Sequence, residues 1–178
     1  MGKHWWIPIA VIFVAAVVLL GVFNLTLGLR QENRQQELQE KMQTILPGSS
    51  EFVEEEYTGD DANIAYVYKG ETGYVIGTQT QGYAGPIAML IGVSNDGYVT
   101  GLQVRQMEET FGLGAEALTD WGFLAQFLRT EGDAVVGQNI DAISGATVTS
   151  KAITRSVNSA VAYVTGTDVD SGATSWGG

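Results

Sequence analysis

Ala88-Met89-Leu90-Ile91-Gly92-Val93 and Tyr98-Val99-Thr100-Gly101-Leu102-Gln103-Val104 flank the short segment Asn95-Asp96-Gly97. Nothing else in the 178 residues constrains the topology as tightly. Two β-prone runs joined through Asp-Gly spell an antiparallel hairpin, because the tight turn favours residues that tolerate positive φ. Upstream, Ile64-Ala65-Tyr66-Val67-Tyr68 ends at Lys69-Gly70, and Gly73-Tyr74-Val75-Ile76-Gly77-Thr78 follows closely. Downstream the period changes. Leu118 to Leu128 predicts a helix with Trp121, Phe123, Leu124, Phe127 and Leu128 toward the core. A second helix carries an apolar stripe of Ile153, Val157, Ala160, Val161 and Val164, with Thr147 or Thr149 as its cap and Gly166 at its end. The expectation is an α+β domain, an antiparallel sheet with a few helices packed on it.

Ahead of this domain lies a different kind of sequence. Trp5 to Leu29 is almost uninterruptedly apolar, and roughly 20 such residues cover a bilayer core. Trp5 and Trp6 suit the interfacial aromatic belt, and Pro8 lies near the first turn. A cleaved secretory signal is the rival reading, but the run exceeds the usual apolar core of a signal and lacks a small-x-small cleavage site. Arg30 to Ile45 reads as a polar helix broken by Leu46-Pro47-Gly48-Ser49-Ser50. The expected organisation is a transmembrane anchor over 1–29, a stalk or linker over 30–50, the α+β domain over 51–166 and a flexible tail over 167–178. Lys3 before the anchor and Arg30 and Arg34 after it leave the positive-inside balance nearly even.

Composition narrows the function. Net charge is −11, from 20 acidic and 9 basic residues, which argues against nucleic acid as a partner, since phosphate backbones need clustered Lys and Arg. The chain has no cysteine and one histidine, His4. That removes disulfides, thiolate metal sites and iron–sulfur ligation, and one histidine makes a poor transition-metal site. A Ser-His-Asp triad is equally out of reach, the histidine standing before the apolar run. No metal ligands are assigned, and any electron carrier in this chain is organic.

The chemistry concentrates in Asp141-Ala142-Ile143-Ser144-Gly145-Ala146-Thr147-Val148-Thr149-Ser150. It sets small residues and hydroxyls just before a helix N-terminus, where unpaired N–H groups and the helix dipole favour an anionic phosphate. Physics alone favours an ordinary Ser/Thr capping loop, because hydroxyl-rich caps are common.

Asp141-x-x-Ser144-Gly145-Ala146-Thr147 followed by x-Thr149-Ser150 resembles the flavinylation motif of FMN-binding domains in the G subunit of Rnf complexes and the C subunit of sodium-translocating NADH:quinone reductases. Gly82-Tyr83-Ala84-Gly85-Pro86-Ile87 is similar to the family's Gly-rich entry to a strand. Glu109-Thr110-Phe111-Gly112-Leu113-Gly114 is similar to its Glu-Thr-Pro-Gly-Leu-Gly loop, with Phe111 in place of the proline. Trp121 to Phe127 and Lys151 to Ala160 also fit the family's patterns. The short chain favours the Rnf protein, with its quinone-reductase relative as the alternative.

The resemblance implies FMN esterified through its phosphate to Thr147 by a flavin transferase that takes it from FAD. Asp141 and Ser144 would belong to the transferase's recognition segment, and with them Gly145, Ala146 and Thr149 would make up the cofactor site around Thr147. The flavin ring would lie against the loops containing Tyr83 and Glu109, Thr110, Gly112 and Leu113. It further implies an electron-carrying subunit, with no active site of its own, in a membrane complex coupling ferredoxin and NAD to ion movement. On that reading the chain sits in the cell membrane as a single-pass protein with its flavin domain on the extracytoplasmic side. Asp168-Val169-Asp170-Ser171-Gly172-Ala173-Thr174 repeats the motif's spacing, but only Ser175-Trp176-Gly177-Gly178 follows, with no apolar helix to build a pocket, so Thr147 is the assigned site. A tethered flavin-binding sensor without redox function is the reading from another class, and it predicts reversible binding with no covalent adduct.

Overall fold

Alternating side chains and short turns build the sheet one hairpin at a time. The computed structural model of the chain describes Leu19, residues 36–107 and residues 120–167. A helix over residues 36–45 (α1) is followed by β1 Val53–Glu55, β2 Ile64–Lys69, β3 Gly73–Gln81, β4 Pro86–Ser94 and β5 Val99–Met107. The helices α2, Trp121–Ala125, and α3, Thr147–Thr165, complete the domain. The compact unit starts at Lys41, so residues 41–50, within the stretch read as a linker, are part of it.

All neighbouring strands pair antiparallel in the order β1-β2-β3-β4-β5, a meander. The Asp96-Gly97 turn closes β4 to β5: Gly97 N–H donates to Ser94 O and Ser94 N–H to Tyr98 O, both at 2.9 Å. Gly97 has φ +87°, which a side chain would resist. The edge strand β1 has no counterpart in the sequence-based expectation. It is three residues long and two of them are glutamates, too short and too polar to show a period.

One face of the sheet carries Ile76, Ile87, Met89, Ile91 and Val93, all buried, and meets Ile153, Val157, Ala160 and Val161 of α3 with Phe123 and Phe127. The helix runs antiparallel to β3. Thr80, near the end of the strand, donates to Ala152 O in the second turn of α3 at 3.2 Å. Tyr74, near its start, meets the ring of Tyr163 edge-on at 5.8 Å. The opposite face, with Val75 and Leu90, receives the end of α1. Ile45 O accepts from Thr100 Oγ1 at 2.8 Å, and a Cβ on Gly92 or Gly101 would stand 2.6 Å from that same oxygen, which is why both positions are glycine.

The apolar stripe of α3 is as expected, but its buried surface is wider and more polar. Thr149, Ser150, Thr154, Ser156, Asn158 and Ser159 are all buried. Most find partners: Ser156 Oγ with Thr80 Oγ1 at 2.9 Å, Ser159 Oγ accepting from Asn63 at 3.2 Å, Asn158 with both backbone groups of Ala134. The large majority of buried polar groups in folded proteins are paired in this way.

The membrane-spanning helix and the single-pass placement in the cell membrane are corrected here: no helix among the described residues is long and apolar enough to cross a membrane. The longest, α3, has 19 residues. Most of its buried polar residues are matched by the domain's own hydroxyls, amides and backbone, which hydrocarbon would not supply. Residues 1–29, to which the anchor was assigned, lie outside the described residues except for Leu19, an exposed helical residue. The described fold is therefore an α+β domain with an antiparallel sheet and packed helices, with no membrane-crossing helix among the described residues.

The helix predicted over Leu118 to Leu128 is also shorter than its period suggested. Asp120 Oδ1 caps α2 by accepting from Gly122 N–H at 2.8 Å and Phe123 N–H at 3.3 Å, and the helix ends at Ala125. A five-residue helix presents one buried face, so Phe123, Leu124 and Phe127 are buried while Trp121 and Leu128 stand 79% and 45% exposed. Both line an apolar cavity of about 290 Å³ with Leu124, Ala125, Ile45 and Leu102.

Candidate functional site

The segment from Ile140 to Thr147 turns every third residue inward. Ile140 and Ala146 are buried, and Ile143 is half-buried against the core. Between them Asp141, Ser144 and Thr147 are exposed. This gives the Asp-x-x-Ser-x-x-Thr spacing a physical basis, because the three polar side chains face solvent while the intervening ones anchor the loop.

The glycine and alanine are explained in the same way. Ala146 N–H donates to Ile143 O at 2.9 Å, closing a turn whose third residue, Gly145, has φ +80°. Glycine is the natural residue there. Ala146, 4% exposed, is buried where the loop enters the helix. Ser150, fully buried, joins the loop to the helix: its Oγ donates to Ala146 O at 2.9 Å and accepts from Ile143 N–H at 3.2 Å.

At the start of α3 the expected cap is absent. The N-cap is Ala146, with φ −122° and ψ 33°, and no side chain caps the helix. Thr147 is the first helical residue and Thr149 is buried within the first turn, so neither acts as the cap. Thr149 Oγ1 is buried with no partner among the described residues. The first N–H groups of a helix have no intrahelical acceptor, and among the described residues no side chain supplies one. Thr147 thus presents an exposed hydroxyl beside open donors at the positive end of a helix dipole.

The sheet brings a second candidate to the same end of the domain. Because α3 is antiparallel to β3, the turn after β3 lies toward the helix start. That turn closes with Gly82 N–H donating to Gly85 O at 2.9 Å and leaves Tyr83 69% exposed. The end of β5 falls there too, since Ile87 pairs with Met107. Glu109, Thr110, Gly112 and Leu113 lie outside the described residues, as does the repeat ending at Thr174.

Residues 82–162 match the FMN-binding domain family. The G subunit of the proton-translocating ferredoxin:NAD(+) oxidoreductase complex of Clostridium ljungdahlii is 30% identical over 161 residues, 86% of this chain and 85% of that protein. The G subunit of the ion-translocating oxidoreductase complex of Methanosarcina acetivorans is 36% identical over 167 residues, 85% of this chain and 87% of that protein. The chain belongs to the Rnf/Nqr family of FMN-binding-domain subunits. Among solved structures, NqrC of Shewanella oneidensis shares 20% identity with a TM-score of 0.46, over 72% of this chain and 74% of that one. The matched FMN-binding region contains the turn at Tyr83, α2, the 141–147 loop and nearly all of α3.

Sequence reasoning missed two residues of this site. Gln126 carries no sign in the sequence beyond its place in a helical stretch, yet its side-chain amide pairs with both backbone groups of Asp141. Asp141 N–H donates to Oε1 at 2.8 Å and Nε2 donates to Asp141 O at 3.3 Å. Nothing in the sequence signals a pairing across fifteen residues. Ser150 is visible within the motif, but its bridging of Ile143 and Ala146 needs the turn geometry.

Proposed function

We propose that this chain is an electron-transfer subunit of an ion-translocating, Rnf-type ferredoxin:NAD oxidoreductase complex, carrying FMN esterified through its phosphate to Thr147. The observation that carries the reading is the exposed Thr147 hydroxyl at the uncapped N-terminus of a 19-residue helix, inside a region that matches FMN-binding domains. The residues present fit the group. Open N–H donors stabilise phosphate charge, Gly145 and Ala146 leave the backbone approachable, and buried Thr149 Oγ1 is an unpartnered polar atom in the same helical turn.

The flavin, when bound, supplies the uptake and release of electrons, while the protein fixes its position and surroundings. In this reading Thr147 Oγ1 is the attachment atom and the first turn of α3 holds the phosphate. Asp141 and Ser144 offer exposed polar groups to the flavin transferase. Tyr83, with Glu109, Thr110, Gly112 and Leu113, forms the surface proposed for the ring. Partners are the other proteins of the complex. The extent of likeness to the two G subunits, over 85% or more of each chain, supports the Rnf-type assignment over the quinone-reductase one.

The test is intact-mass analysis of the chain co-expressed with a flavin transferase, alongside Thr147→Ala and Thr174→Ala. One added FMN that vanishes only in Thr147→Ala is the expected result. Loss only in Thr174→Ala would move the site to the tail. No adduct, with the transferase active on another substrate, would favour the reversible flavin-binding module instead.

A further inference from the structure

The loop that presents Thr147 is tied at its far end to α2. Gln126 is the C-cap residue of that helix, and its amide makes the two oppositely directed hydrogen bonds to Asp141 just described, in the manner of a neighbouring strand. At the near end Ser150 Oγ ties Ile143 to Ala146. Between these ties Ser144, Gly145 and Thr147 are exposed. The ties act on backbone groups and leave the exposed side chains free for recognition.

We propose that Gln126 is a positioning residue for attachment of FMN to Thr147, holding the 141–147 loop in the one shape the transferase reads. This rests on Thr147 as the acceptor. In the attachment step Thr147 Oγ1 forms a bond to the flavin-side phosphorus of FAD and the pyrophosphate P–O bond breaks. AMP leaves with the bridging oxygen and the hydroxyl proton is released; nothing is oxidised or reduced. Gln126 touches none of these atoms and acts through Asp141. A loop released at Asp141 samples other shapes, and an enzyme that binds one shape sees its affinity fall in proportion to the population lost. Ser150 serves the same end but is fully buried, so its substitution would disturb the core. Gln126 is half-buried and the bonds it makes are at the surface, which makes it the cleaner probe.

The experiment uses the full chain, a purified flavin transferase and FAD, with incorporation at Thr147 followed by intact mass. In Gln126→Ala the transferase's kcat/KM for the chain is expected to fall about tenfold, equivalent to about 1.4 kcal/mol. The fall should come through a higher KM with kcat unchanged. Gln126→Glu keeps an acceptor for Asp141 N–H but loses the donor to Asp141 O, and its rate should lie between the two. Amide exchange at Asp141 in the unloaded chain should quicken in Gln126→Ala while the melting midpoint holds. A loaded parent with variants loaded at the same KM overturns the positioning role alone. A drop in kcat that tracks a lowered midpoint overturns it in favour of general destabilisation. A parent that takes up no FMN at Thr147, under a transferase active elsewhere, overturns the acceptor assignment and the role built on it.

Discussion

The two ends of α3 are finished in opposite ways. At the C-terminal end the chain completes itself: Gly166 adopts a left-handed conformation with φ 68°, and its N–H returns to Ala162 O at 2.8 Å. Thr165 Oγ1 donates to Val161 O at 3.0 Å. Tyr163 packs edge-on against Tyr57 and Tyr74, each at 5.8 Å between centroids. At the N-terminal end no side chain caps the helix and a threonine hydroxyl stands exposed. One helix in one domain thus has one end satisfied by protein and one end with no side-chain cap among the described residues. An uncapped N-terminus can be satisfied by water or by an anion, whereas the glycine-closed end is completed by the chain itself.

Midway between them Asn158 is the shared anchor, and its loss should have the largest effect. Its side chain accepts from Ala134 N–H at 3.3 Å and donates to Ala134 O at 2.8 Å, in a buried setting. Asn158→Ala strands both backbone groups, and a destabilisation of roughly 2–4 kcal/mol is expected from chemical denaturation. A loss below about 1 kcal/mol, on the order of one exposed hydrogen bond, would show that α3 is held by its stripe alone.

At the closed end Gly166→Ala should lower stability by about 1 kcal/mol, the penalty of a left-handed alanine. A Cβ there meets nothing within 4 Å, so the effect is purely one of backbone. FMN loading of this variant should equal that of the parent; impaired loading would mean the two ends are coupled. At the open end Ala146→Ser supplies a capping hydroxyl, which should raise the stability of the unloaded chain by roughly 0.5–1 kcal/mol while slowing loading at Thr147. An unchanged melting midpoint would mean the first-turn N–H groups already have partners.

The smallest effect is on pH dependence, and it belongs to the closed end alone. Burial, then the nearby Glu55 carboxylate and Tyr74, raises the Tyr163 hydroxyl above its ordinary value of 10.0. The folded state therefore favours neutral Tyr163. Its contribution is fully present below about pH 10 and is lost as pH rises through the folded value. Tyr163→Phe should flatten the fall in stability above about pH 10, with no change at neutral pH. An equally steep alkaline fall in the variant would assign that loss to other groups, Tyr68 among them, which burial also raises.

How far the sequence reached depends on how local the signal was. The Asp96-Gly97 hairpin, the β-prone runs and the stripe of α3 follow from residue order, because turn chemistry and periodicity act over a few positions. The extent of α2 did not, since Asp120 capped it and the chain left the helix after Ala125, so Trp121 and Leu128 became exposed. The long apolar run read as an anchor has no counterpart among the described helices.

By itself, then, the sequence determined an antiparallel α+β domain, a chain without thiols or a histidine cluster, and a hydroxyl-bearing loop ahead of a helix. Each of these is a property of composition or of neighbours along the chain. Only the tertiary structure decided which hydroxyl is exposed, that Ala146 rather than a threonine is the N-cap of the helix, and that Gln126 grips Asp141. Those depend on which groups meet across the fold, where burial selects Ala146 and Thr149 inward and leaves Thr147 in solvent.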